Sequence, residues 1–282
     1  MRLATLGLLS LAAAPAAGAQ EAVCRPGKAS NEARTMATFA VPLALSGVGV
    51  PAEPAPWRIR LGIEVSYLPE VDDATATPTV CRPDKTSPEN TDLLFALPRP
   101  RVLLTLPAAF ALEASWVPPI RVADTKANLF GIALSRTTPL GRERLRFTAR
   151  AHATLGQVEG PITCDDAALQ DPGSPCYQGT RSNDAFRPNI FGLEGTLSWD
   201  LGGRVHPYLG AGYNHLAPRF RVNFVNRFGS HDRTRVVVDL DRAVLFAGAT
   251  WTASRLALSG EIYSAPADAV TVRVMTSFRL RP

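Results

Sequence analysis

The sequence predicts an all-β chain: a transmembrane, antiparallel, up-and-down β-barrel of about ten strands, within a range of about eight to twelve. Three observations lead there. Residues 57–67, WRIRLGIEVSY, alternate apolar and polar side chains with period 2, as in a strand whose two faces meet different surroundings. Trp57 and Tyr67 stand ten residues apart on the apolar face. That is roughly 33 Å at strand rise, or about 25 Å of height at a tilt of about 40°, the apolar band of a bilayer with an aromatic at each edge. Finally, long polar connections alternate with short turns along the rest of the chain.

The chain opens with MRLATLGLLSLAAAPAAGAQ, in which Arg2, an apolar run from Leu3 and Ala17-Gly18-Ala19 form a secretory signal. Residues 1–19 are therefore expected to be removed. Glu21-Ala22-Val23 ahead of Cys24 lacks the small residue of a lipid-attachment site. Residues 20–56 form a separate N-terminal segment, either a plug for the lumen or a source of one extra strand at 38–45. The barrel proper occupies 57–282.

The strands are expected at 57–67, 101–106, 110–117, 128–136, 145–155, 191–199, 205–216, 243–251, 256–264 and 270–280. The 145–155 segment is the second clean alternation, with Leu145, Phe147, Ala149, Ala151 and Ala153 on one face and Arg146, Thr148, Arg150, His152 and Thr154 on the other. Pro107-Ala108-Ala109 breaks one hairpin. Residues 219–225 and 234–240 form the arms of a long hairpin with Gly229-Ser230-His231-Asp232 at its tip. Long connections fall at 69–98, 156–188 and 217–241, short ones at 107–109, 137–143, 200–204 and 252–255, and the short loop at 265–268 is the exception on the long side. Long loops outside and short turns in the periplasm are the habit of Gram-negative outer-membrane barrels.

If the apolar faces meet lipid, Trp57, Tyr67, Phe110, Trp116, Phe191, Trp199 and Phe278 form the aromatic girdles. The lumen is then lined by Arg58, Arg60, Glu64, Glu113, Arg146, Arg150, His152, Glu194, Glu261, Arg273 and Arg279. Such a lumen is either a charged path for a small polar solute or a closed Arg/Glu network filling a narrow interior, and ten strands are far from the roughly sixteen of a water-filled porin. Four cysteines in an exported chain form disulfides, Cys164 with Cys176 across a polar loop and Cys24 with Cys81.

The net charge of +5 is modest and its basic residues are scattered, which excludes a nucleic-acid patch. No CxxC or Cys/His spacing marks a metal site, and Asp165, Asp166 and Asp171 match no calcium loop. No cofactor is expected. His152, Glu113 and Ser115 could share the lumen as a hydrolase triad in the manner of lipid-modifying barrels. A secreted, soluble β-sandwich that binds a ligand is the other reading of alternating strands with disulfides.

Residues 204–215, with their Pro-Tyr-Leu-Gly-Ala-Gly-Tyr run, resemble a strand of small porin-like bacterial outer-membrane barrels. Residues 106–119, a proline hairpin followed by an apolar strand, faintly resemble hydrophobic-substrate transporters of the long-chain fatty-acid type. The resemblance implies a structural protein or passive passage of a small solute, with outer-membrane lipid and the barrel assembly machinery as partners. It also implies a terminal aromatic that this machinery reads. Here Phe278 lies four residues before the end, followed by Arg279-Leu280-Arg281-Pro282.

Overall fold

In the computed structural model, which describes residues 22–49, 55–122, 124–141 and 144–280, ten antiparallel strands close into one barrel. They are β1 (Ile59–Tyr67), β2 (Ala96–Thr105), β3 (Phe110–Val117), β4 (Thr125–Pro139), β5 (Leu145–Gly160), β6 (Ile190–Trp199), β7 (Val205–Leu216), β8 (Leu240–Ala253), β9 (Leu256–Ala265) and β10 (Ala269–Arg279). Each pairs with the next, and β10 closes on β1 with Phe278 opposite Leu61 and Val274 opposite Val65. No edge is left in the barrel wall. The expected signal segment lies outside the described residues.

Alternation decides which side chains face out. On β1, Ile59, Leu61, Ile63, Val65 and Tyr67 are exposed, whereas Glu64 and Ser66 are buried. Phe130, Ile132 and Leu134 on β4, Phe191 and Leu193 on β6, and Val270, Val272, Val274 and Phe278 on β10 continue an apolar belt around the wall. An apolar belt outside and buried charge inside is the reverse of a soluble sandwich, and it marks a wall built for lipid. This architecture places the protein in the bacterial outer membrane.

Several strands run longer than expected, such as β5, which continues to Gly160, and three other differences from the sequence expectation have a local cause. Trp57 precedes β1 instead of opening it, because its backbone turns left-handed (φ 63°) before the extended run starts. β2 begins at Ala96, five residues before the expected 101. Pro98 and Pro100 hide that start, but they occupy outward positions opposite Val65 and Ile63, above the last residue that pairs with β3, Arg101. There β2 has one neighbour only, so a missing N–H is tolerated. The third difference is at residues 38–45, which supply no strand.

They belong instead to α1 (Asn31–Leu43), which lies inside the barrel. Ser30 caps its start, its hydroxyl accepting from the Ala33 N–H at 3.2 Å. Ala33, Ala37 and Ala40 are fully buried, and their small side chains let a helix fit where ten strands leave only limited room. α1 enters at the loop end, where Thr35 Oγ1 donates to the carbonyl of Thr75 (2.9 Å) and Cys24 is bonded to Cys81. It ends at Leu43, one residue after Pro42, and residues 44–49 continue down the lumen. At the turn end the Ala55 carbonyl accepts from Thr105 Oγ1 at 2.8 Å, and the chain turns into β1. Residues 31–49 thus lie inside the lumen, and we refer to them as the plug.

Candidate functional site

The lumen has two zones. Towards the loops, the buried face of α1, with Ala33, Met36, Ala37, Ala40, Val41 and Leu43, packs on Leu97, Leu129, Phe186, Ile190, Leu240, Phe246 and other wall residues. Towards the turns, the interior is polar and charged. The end of α1 at Leu43 makes the boundary: beyond it the plug is not helical, and the carbonyls there need partners from elsewhere.

The wall supplies four arginines. Arg273 Nη2 donates to the carbonyls of Val41 (3.1 Å) and Pro42 (3.4 Å), and Arg99 Nη2 to that of Leu43 (2.9 Å). Arg150 donates to the Leu45 carbonyl, and Arg101 Nη2 to that of Ser46 (2.6 Å). α1 has no basic residue in its own last turn, so cations from β2 and β10 take the negative end of its dipole. Gly131 on β4 leaves room for this passage, since a Cβ there would stand 3.1 Å from Leu45 Cδ2.

Four buried glutamates balance these cations. Arg101 is ion-paired with both Glu64 and Glu113. Arg150 lies 3.0 Å from Glu113 and 3.0 Å from Glu194, so Glu113 bridges two arginines. Arg273 Nη1 is 3.7 Å from Glu261 and its guanidinium stacks 4.1 Å from the Tyr263 ring centroid. Glu261 accepts from Ser46 Oγ at 2.6 Å and from Tyr208 OH at 3.2 Å, which ties wall and plug together again. In a dry interior such mutual pairing is what makes charge tolerable.

Of the residues expected to line the lumen, Glu64, Glu113, Arg150, His152, Glu194, Glu261 and Arg273 are buried in this network or against it. Arg60 borders a smaller cavity on its turn side, together with Gly47 and Met275. Arg58, Arg146 and Arg279 are half-exposed near the turn end. Sequence reasoning missed Arg99, Arg101, Tyr208 and Tyr263. Arg99 and Arg101 alternate with the two outward prolines, and that Pro-Arg-Pro-Arg alternation was the available signal. Among the expected girdle residues, Trp57, Tyr67, Trp116, Phe191 and Phe278 are exposed, while Phe110 and Trp199 are partly covered, Phe110 by the Arg136 guanidinium 5.3 Å from its ring.

The hydrolase triad is not assembled. Both Glu113 oxygens are engaged by arginines, and His152 Nε2 faces Glu194 Oε1 at 3.4 Å. Among the described residues, no three His, Cys, Asp or Glu are grouped to hold a metal ion. Both expected disulfides are present, Cys24–Cys81 and Cys164–Cys176.

At the loop end lies a cavity of about 100 Å³, between α1 and the loops. Met36, Phe39 and Leu43 of the plug, Leu93 and Leu94 before β2, and Phe186 are among its walls, and apolar atoms form nearly all of its surface. Glu32 stands at its edge, with Oε1 accepting from the N–H groups of Thr79 (2.9 Å), Val80 (2.6 Å) and Cys81 (2.8 Å). Burial raises the pKa of this carboxyl, but the three N–H donors outweigh it and hold the group below the usual carboxylate range.

No protein-family model and no curated protein matches the chain. Among solved structures it is similar to Ail, the attachment invasion locus protein of Yersinia pestis, at 7% identity over 80% of this chain and 100% of that one, with a TM-score of 0.33. It is also similar to the P. putida toluene transporter TodX (13% identity, 83% and 70% covered, TM-score 0.32). A third is the Acinetobacter baumannii outer membrane protein Omp33 (9% identity, 81% and 100% covered, TM-score 0.29). The functional reading of this chain rests on its own side chains.

Proposed function

We propose that this chain is a plugged outer-membrane barrel for passive passage of a small apolar solute, which it takes up first in the cavity at the loop end. The loops are outside the cell and the turns in the periplasm. The observation that carries this reading is the apolar cavity itself. An apolar cavity of about 150 Å³ stays dry and binds benzene in a well-studied soluble protein, so a space near that size suits a one-ring hydrocarbon, with flexible Met36 adjusting to the fit. Below this cavity the charged zone is occupied by residues 44–49 and by paired side chains.

Titration of the detergent-purified protein with toluene, beside an Ala127→Leu variant that fills the cavity wall, tests the site. Saturable binding lost in the variant supports the reading; equal uptake by both, as from the detergent alone, sinks it. For passage, intact cells with the protein should take up labelled toluene faster at first than cells without it. A second reading, a purely structural barrel, draws support from the arginine clamp on the plug, and unchanged cellular uptake would favour it.

A further inference from the structure

Above the membrane-level wall, β5 is extended by a small sheet of loop segments, Asp184–Arg187, Arg219–Arg221 and Arg235–Val237. Its register sets Arg219 directly opposite Arg187, and Arg221 directly opposite Arg235. Because side chains alternate, all four arginines project from one face, while Phe186, Phe220 and Val236 pack inward on the core. Like charges directly opposite in a sheet are destabilising, and here they occur twice in neighbouring pairs.

Part of this charge is already engaged: Arg219 Nη1 donates to the carbonyls of Pro218 (2.9 Å) and Val238 (2.5 Å), and Arg235 has a partner of its own. Arg219 Nη2 pairs with Asp239 at 2.8 Å, and Arg187 meets the neutral amide oxygen of Gln157 at 3.3 Å. Arg221 has no carboxylate within ion-pair distance among the described residues. Glu159, an acid near this level, faces Lys126 at 3.8 Å. Between the four arginines, with Ala185 and Val237, lies a concavity of about 200 Å³, room for more than one phosphate group.

Its height decides the occupant. Val158 pairs with Phe186, which sets Arg187 beside Gln157, and Gln157 is the next outward residue after Leu155, the last exposed apolar side chain on β5. Two residues are about 7 Å of strand. The arginine face therefore continues the lipid-facing wall at the level where headgroups begin.

We infer that this face binds the phosphate groups of a phosphorylated lipid headgroup in the outer leaflet. Guanidinium groups pair with phosphate through two parallel N–H bonds, and several arginines on a rigid sheet match a headgroup that carries more than one phosphate. The inference relies on the loop end facing outwards and is independent of the apolar cavity.

The test uses the full-length protein in a neutral detergent, with diphosphorylated lipid A and its dephosphorylated form as probes, read by native mass spectrometry. The expected result is binding of the diphosphorylated form, at least tenfold weaker in an Arg187→Gln/Arg221→Gln variant, with unchanged barrel melting. Arg227→Gln, at the loop tip, should bind as the unaltered protein does. Equal binding of both lipid forms, or an unaffected double variant, overturns the inference. Inorganic pyrophosphate binding as tightly as the lipid would reassign the site to free phosphates, and a heparin fragment binding more tightly than the lipid would reassign it to a soluble polyanion; either overturns the headgroup assignment.

Discussion

Arg273 Nη2 donates to the carbonyl oxygen of Val41 at 3.1 Å, so the strand that closes the barrel also caps the helix that fills it. The two residues lie 232 positions apart in the chain. Arg101 and Arg150 repeat the arrangement, each meeting a plug carbonyl and two glutamates, Arg273 also faces Glu261, and Arg99 reaches the plug at the Leu43 carbonyl. Recognition through carbonyls reads the path of the plug and not its side chains, which is how a segment rich in alanine can still be held in one position.

Replacing Arg99 by Met should release the plug below Pro42. The substitution keeps much of the side-chain volume but leaves the Leu43 carbonyl without its donor. Losing a buried hydrogen bond from a charged donor costs about 1.5–3 kcal/mol. Hydrogen exchange should quicken across residues 36–46, while the strand amides on the far wall, in β6 and β7, stay protected. Uniform loss of protection in all strands would show that the arginine holds the wall and not the plug.

Glu113→Ala should destabilise the barrel itself, because this one carboxylate serves Arg101 and Arg150 together. Two buried cations are left short of charge, and the expected loss is about 3–5 kcal/mol. The measurement is the temperature at which the folded band disappears in an unboiled gel, set beside single-channel conductance in a planar bilayer. The variant should melt earlier, or leak as water enters around the arginines. Unaltered melting with a silent bilayer would mean that the network contributes little.

How far this site could be read from sequence follows from the periodicity. Strand faces are written in two-residue alternation, so Glu64, Arg150, Glu194 and Glu261 could be assigned inward from local pattern alone. The plug could not. Residues 31–43 show a capping serine and an apolar face, but a short helix with an internal proline has no local reason to lie inside a barrel; only the lumen's arginines give it one. Arg99 and Arg101 were hidden for the opposite reason, since proline normally argues against a strand and here sits where one side of the strand has no neighbour.

Acid should loosen the loop end of the plug. Three backbone N–H groups at Thr79, Val80 and Cys81 favour the ionised form of Glu32, so its folded-state pKa lies below the ordinary value. The sign follows from linkage: the stabilisation is fully present above the ordinary carboxylate range and is lost as pH falls through the lowered native value. Amide protection in the first turns of α1 should therefore drop as the pH is taken below about 4, the ordinary carboxylate range. In Glu32→Gln the same amides should be less protected at neutral pH and show no such step. A step that persists in the variant would assign the acid response to another group.

The Cys24–Cys81 disulfide should secure the plug without contributing to the wall. It closes a stretch of 57 residues that contains α1, the descending segment and β1, so the plug and its neighbouring strand form a covalent ring joined at the loop end. For a ring of that length the chain-entropy estimate is about 4 kcal/mol, an upper limit because closure of the barrel already restrains β1. The Cys24→Ser/Cys81→Ser variant should keep its gel mobility and strand protection, while residues 22–35 exchange faster and become open to added protease. Toluene binding should weaken with them, since Met36 and Phe39 form one wall of the cavity and Cys81 another. If binding is lost while residues 22–35 stay protected, the disulfide shapes the cavity directly; if both are unchanged, Glu32 and the wall arginines suffice to hold the plug.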